Sequence, residues 1–82
     1  MEKYFGDNLK NLRLEHGLTQ HRLGEIVGVT KECISQYESA SKKPNVFIAA
    51  HIAKTLDVTV DEMLNTPPDA LLAEQIERRR NP

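Results

Sequence analysis

Cysteine is nearly missing from this chain: Cys33 is the only one in 82 residues. No intrachain disulfide can form, and a reducing, cytoplasmic setting is the natural expectation. Long hydrophobic runs are missing as well. No stretch approaches the roughly 18 consecutive apolar residues of a membrane span, so no membrane partner is expected. The opening Met1-Glu2-Lys3 leads into no apolar segment of the kind that marks a secretory signal. Strand signals are absent too, with no sustained alternation and no Asn-Gly or Asp-Gly hairpin, which leaves an all-α chain of single-domain size. The marks of enzyme chemistry do not occur: there is no serine elbow, phosphate-binding loop or dinucleotide fingerprint. His16, His21 and His51 belong to no metal-binding arrangement, and one cysteine makes a zinc site unexpected. The histidines read as surface residues, with no metal and no cofactor. Finally, charge of one sign is lacking.

The formal net charge is −1, which at first counts against a polyanionic partner. Its distribution softens the objection. Residues 1–56 carry eight Lys/Arg against six Asp/Glu, and residues 57–82 carry three Arg against six Asp/Glu. The local field on one face decides phosphate contact, not the global sum. The low total predicts weak non-specific binding to nucleic acid and a shallow salt dependence per monomer.

What is present is a series of short amphipathic segments separated by Gly, Pro and Thr. Phe5, Leu9 and Leu12 recur at helical spacing and predict a first helix over Tyr4–Glu15, closed by Gly17. Thr19 is placed to cap a second helix over Gln20–Val27, with Leu18 and Leu23 as a hydrophobic staple and Gly28 at its end. Thr30 caps a third over Lys31–Ser39, whose buried positions are Ile34 and Tyr37, joined by Val29. Its other face is polar: Lys31, Glu32, Ser35 and Gln36. Only Gly28-Val29-Thr30 separates the second and third helices, the signature of a steep crossing across a tight turn. Asn45 starts a fourth helix over Val46–Leu56. Thr59-Val60-Asp61-Glu62 forms a capping box for a short fifth, and Thr66-Pro67-Pro68-Asp69 reads as a second such start for a last helix over Pro68–Arg80.

The stretch from Leu18 to Glu38, LTQHRLGEIVGVTKECISQYE, resembles the helix-turn-helix of the lambdoid phage repressor, Cro and Xre-like regulators. The resemblance runs from about Phe5 to Leu64. It takes in Arg13, the Leu-Thr-Gln entry, the Gly-Val-Thr turn, the Lys-Pro before the fourth helix and the Leu-Asp-Val-Thr-Val-Asp-Glu-Met-Leu ending. It implies a five-helix domain over residues 1–66 whose third helix lies in the major groove of double-stranded DNA. Residues 67–82 are an extra helix for docking or dimerisation. The resemblance also assigns roles. Lys31, Glu32 and Gln36 match base-reading positions, and each has a chemical partner: guanine O6/N7, cytosine N4 and adenine N6/N7. Glu32 has the alternative of bonding Gln36 and orienting it. Thr19, Gln20, Thr30, Ser35, Ser39, Lys42 and Lys43 match backbone-contacting positions, Gln20 as a phosphate clamp at a helix N-terminus. Arg13 and Glu38 match a buried ion pair tying the first helix to the third.

The chain departs from the pattern at several places. Ala40 stands where glycine often follows the third helix, and Cys33 where Ser or Thr is common. Cys33 is expected as a small apolar filler, with an oxidant-sensing alternative if Lys31 lowers its pKa. Leu14 and Phe47 fall at exposed positions of the helical register, with packing on the tail or on a partner as the alternative for Phe47. A helix-turn-helix monomer contacts one half-site, so a homodimer is expected, with Val60, Met63, Leu64, Leu71, Leu72 and Ile76 as candidate contacts. The rival reading is a protein-interaction module, an antitoxin or anti-regulator that binds a partner protein.

Overall fold

Four helix starts are fixed by one side-chain oxygen each. In the computed structural model, which describes residues 4–80 and so leaves Met1-Glu2-Lys3 outside the described residues, the helices are α1 (Phe5–Glu15), α2 (Gln20–Val27), α3 (Lys31–Glu38), α4 (Val46–Thr55), α5 (Val60–Asn65) and α6 (Pro68–Arg80). Thr19, Thr30, Asn45 and Thr59 accept from the backbone N–H groups of Arg22, Cys33, Ile48 and Glu62. Each satisfies one of the donors that a helix N-terminus leaves unpaired. At Thr59 the box is complete, because Glu62 accepts in return from the Thr59 N–H at 3.0 Å. The start of α6 differs from the sequence expectation. Thr66 closes α5, its N–H bonded to the Glu62 carbonyl, and the Pro67 carbonyl accepts the first bond of α6 from Leu71. Proline at both 67 and 68 sets the backbone angle without a polar cap.

Three helices end in the same way. After α1, α3 and α4, a residue in the left-handed region follows the cap: Gly17 (φ 70°), Ala40 (φ 63°) and Asp57 (φ 60°). The paired bonds of a Schellman ending accompany each, as in Ala40 N–H to Tyr37 and Ser41 N–H to Gln36 after α3. The ending at Ala40 therefore forms without the usual glycine, and α3 stops at Glu38 with Ser39 as its cap.

The core is aliphatic. Leu9, Leu12, Leu23, Ile34, Ile52, Leu56, Met63 and Leu71 have no exposed surface, and Phe5, Tyr37, Val27, Ala49 and Ala53 complete it. Each such Leu or Ile contributes about 1.5–3 kcal/mol relative to exposure. Two candidate dimer contacts are corrected by this packing. Met63 and Leu71 are wholly inside the protomer because α5 and α6 turn those positions onto α1, so neither can meet a second subunit. Val60, Leu64 and Leu72 pack partly against the same cluster, and Ile76 is half-buried.

Two glycines set how closely the helices approach. A Cβ on Gly24 would lie 2.6 Å from the Val29 carbonyl, and one on Gly6 would lie 2.5 Å from that of Glu38. The α2–α3 turn and the α1–α3 crossing both depend on the missing side chain.

α6 lies along α1 and is bound by polar contacts as well as by Leu71. The Gln75 side chain is fully buried, and its Nε2 lies 3.2 Å from His16 Nε2, which is 3.2 Å from the Leu56 carbonyl. This corrects the surface reading of His16. The arginines of the last turn reach back to the body: Arg78 donates to Glu62 at 2.7 Å, and Arg79 to the Glu15 carbonyl at 2.7 Å. The Glu62 carboxyl is held below its ordinary value of 4.5, chiefly by the Arg78 bond and by the Thr59 N–H. At the other end of the α1–α5 contact, buried Asn8 donates to the carbonyls of Met63 and Thr66.

Candidate nucleic-acid interface

One face of α3 is buried and the other is wet. Ile34 and Tyr37 enter the core, while Lys31, Glu32, Ser35 and Gln36 are all exposed on the opposite side. This follows from a 3.6-residue repeat with apolar residues three apart. Among the described residues no hydrogen bond joins Glu32 to Gln36, so both side chains are free to point outward.

The orientation of α3 is fixed from behind. Arg13 Nε donates to Glu38 Oε2 at 2.6 Å and its Nη2 to Oε1 at 3.2 Å, with both side chains more than nine-tenths buried. The third guanidinium nitrogen donates to the Leu18 carbonyl at 2.8 Å. One residue thus joins α1, the α1–α2 turn and the end of α3, in the bidentate geometry that favours arginine over lysine. Gln20 adds a fourth strand to this knot, its amide donating to Glu38 Oε1 at 3.1 Å. That bond was not anticipated. It uses one of two amide protons, and Gln20 connects the start of α2 to the anchor of α3.

The α3–α4 loop is wound back onto the recognition face. The Gln36 carbonyl accepts from the N–H groups of Ser41 and Lys42 and from the Ser39 hydroxyl. Ser39 and Ser41 also share a hydroxyl bond at 3.0 Å. This holds the exposed Lys42 and Lys43 close behind Gln36. Thr19 and Thr30 are exposed, but their hydroxyl oxygens are used as caps, which leaves the free backbone N–H groups of the first turns of α2 and α3 at the surface. Cys33 is half-buried at the third position of α3. Its thiol lies below the ordinary value of 9.0, held there first by its hydrogen bonds to Thr30 and then by the charge of Lys42. Lys31, the residue suggested by sequence spacing, is not the cause. Of the expected residues, Lys31, Glu32, Ser35 and Gln36 share the exposed face of α3, Thr19, Thr30, Ser39, Lys42 and Lys43 are exposed, Gln20 is half-buried, and the Arg13 and Glu38 side chains are buried. Gly6, Gly24, Asn8 and Gln75, which shape this frame, carry no sequence signal beyond residue type.

Known proteins share this arrangement. Residues 9–63 match the family model HTH_3, described as helix-turn-helix. The chain is 38% identical over 77 residues to the HTH-type transcriptional activator BcrR of Enterococcus faecalis, covering 94% of this chain and 37% of BcrR. It is 38% identical over 61 residues to the HTH-type transcriptional regulator YobD of Bacillus subtilis, covering 74% of this chain and 54% of YobD. It is 32% identical over 78 residues to the antitoxin PezA of Streptococcus pneumoniae, covering 88% of this chain and 49% of PezA. The chain thus spans about half the length, or less, of these relatives. Among solved structures, the P22 c2 repressor in complex with a synthetic operator superposes with a TM-score of 0.74 at 28% identity, over 77% of this chain and 96% of that one. From the family model, the relatives and the shared fold together, this chain belongs to the HTH_3 helix-turn-helix family.

Proposed function

We propose that the chain is a sequence-specific DNA-binding regulator, a repressor acting in the cytoplasm, that lays α3 in the major groove and binds a pseudo-palindromic operator as a homodimer. The observation that carries this is the exposed row Lys31, Glu32, Ser35 and Gln36 on a helix whose opposite side is fixed by the buried Arg13–Glu38 pair. Lysine suits guanine, glutamate suits the cytosine amino group and glutamine suits adenine. Gln20, Thr19, Thr30, Ser39, Lys42 and Lys43 supply the flanking phosphate contacts, which set register without reading sequence. The P22 repressor neighbour was solved on an operator, which supports the same docking here. Selection of bound duplexes from a random pool tests the proposal: a two-fold symmetric motif is expected. Gln36→Ala should relax base choice at one position per half-site at a cost of about 1–3 kcal/mol. An unchanged motif would remove Gln36 from base reading and overturn this docking of α3.

A second reading has one observation in its favour, the match to the antitoxin PezA over 88% of the chain. On that reading the domain is a protein-interaction module that serves a partner protein. A stoichiometric partner that co-purifies with the chain supports it; a lone chain that binds DNA with full specificity counts against it.

A further inference from the structure

α3 is tied to α2 at two points. The near one is the turn, where the Val29 N–H bonds the Gly24 carbonyl at 2.9 Å and a Cβ on Gly24 would strike the Val29 carbonyl. The far one is Glu38, whose Oε1 accepts from Gln20 Nε2 at 3.1 Å. Among the described residues this is the one side-chain hydrogen bond between α2 and α3. The two Glu38 oxygens are not held alike. Oε2 takes Arg13 Nε at 2.6 Å, while Oε1 takes Arg13 Nη2 at 3.2 Å. One short and one long bond leave Oε1 the looser oxygen, and Gln20 supplies its second donor. Arg13 lies on α1 and so fixes α3 against α1; Gln20 fixes it against α2. The amide must present its NH2 here, because a carboxylate only accepts. With the Glu38 side chain only 7% exposed, a bond to its charge is stronger than one between neutral groups in water.

We infer that Gln20 sets the tilt of α3 against α2, and so decides how sharply the far end of α3 reads sequence, although it lies off the base-reading row. The inference deepens the proposed docking of α3 and rests on it. Its argument is leverage. Glu38 stands eight residues beyond Thr30, about 12 Å along the helix axis. A shift of about 1 Å at Glu38, with the turn as pivot, tilts α3 by about 5°. It carries Gln36 through about 0.7 Å, but Lys31 and Glu32 through less than about 0.3 Å. A recognition contact tolerates about 0.5 Å before its hydrogen bonds leave their working range. Loss of the Gln20 bond therefore reaches the base opposite Gln36 and spares those opposite Lys31 and Glu32. A residue that only held a phosphate acts on every sequence alike. Gln20 acts through Glu38 on one position of the half-site, which makes it a positioning residue for base reading.

Selection from a random duplex pool with Gln20→Met, which keeps the side chain's length and removes the amide, tests this. The position read by Gln36 is the one that Gln36→Ala relaxes. There the base preference of Gln20→Met should fall about tenfold, within the worth of one good bidentate contact, while the positions read by Lys31 and Glu32 keep theirs. Gln20→Lys, whose ammonium also donates to a carboxylate, should keep the parent motif. Lys42→Ala, at a proposed backbone contact, should weaken all sequences alike. An unchanged motif with uniformly weaker binding in Gln20→Met overturns the inference, as does equal relaxation at every position or a Gln20→Lys motif as relaxed as that of Gln20→Met.

A second readout needs no DNA. Residual dipolar couplings of the backbone amides give the direction of α3 against α2 in the free chain. They should report a rotation of about 5° in Gln20→Met and none in Gln20→Lys. If Gln20→Met is too unstable for this, Gln20→Asn, an amide one methylene shorter, carries the same expectation. Unchanged couplings overturn the inference whatever the selection shows. A parent chain that selects no motif, with couplings that rotate as expected, instead sinks the DNA-binding reading.

Discussion

Replacing Arg13 by methionine should remove a large share of this domain's stability. The substitution keeps much of the apolar stem and deletes three donors: two to Glu38 and one to the Leu18 carbonyl. Glu38, with its side chain 7% exposed, is left with Gln20 as its one side-chain donor. An uncompensated buried charge of this kind costs about 3–5 kcal/mol. At roughly 0.05–0.15 kcal/mol per residue, an 82-residue chain has a total of about 4–12 kcal/mol, so the single change consumes a quarter or more of it. The midpoint of thermal unfolding should fall by at least about 12 °C, at roughly 4–8 °C per kcal/mol for a domain of this size. Glu38→Leu should cost a similar amount by stranding the guanidinium. The double variant, with neither charge, should recover most of the loss, because desolvation of the pair opposes its attraction. Urea denaturation followed by helical circular dichroism gives all four corners of the cycle. If each single variant lost less than about 1 kcal/mol and the losses simply added, the pair would be behaving as a surface ion pair, and the anchoring of α3 argued from its burial would be wrong.

Two further outcomes follow from local geometry. Ala40 sits at φ 63°, where a side chain costs about 1–2 kcal/mol, and glycine gives back part of that through the unfolded chain. Ala40→Gly should therefore raise the free energy of unfolding by a net of up to about 1 kcal/mol, read as a higher urea midpoint; a lower midpoint would contradict the strain. Because the folded Glu62 carboxyl titrates below 4.5, its contribution is complete above that value and is lost as the pH falls through the lower folded value. Glu62→Gln should flatten the acid limb of the stability profile, and a profile with an unchanged acid limb would rule out this carboxylate as a source.

The parts of this molecule that could be read from sequence are those decided within one helical turn. Thr19, Thr30, Asn45 and Thr59 cap their helices because a short oxygen-bearing side chain needs only the backbone three residues on. The polar row of α3 was visible for the same reason, being the complement of Ile34 and Tyr37. The parts that were hidden depend on distant chain segments. Gln75 and Asn8 are residue types usually found outside, and only the tertiary neighbours of each, His16 for one and the α5 carbonyls for the other, explain their burial. Met63 and Leu71 looked like either core or interface, since periodicity shows that a face is apolar without saying what covers it. Thr66 carried a plausible cap signal, but the Asn8 bond and the end of α5 claim it. Gln20 was visible as a polar residue at a helix start, yet its bond to Glu38 depends on where α3 ends.

The docking of α6 separates two boundaries that are easily taken as one. The match to the family model stops at residue 63, but Leu71 and Gln75 fill the space over α1, and Arg78 and Arg79 fasten the end of α6 to the body. The packed unit is therefore longer than the stretch that the family model describes. A fragment trimmed to the recognisable motif would keep every residue proposed to touch DNA and still lose part of the floor on which those residues stand. In this protein the border of the motif lies inside the border of the packed domain.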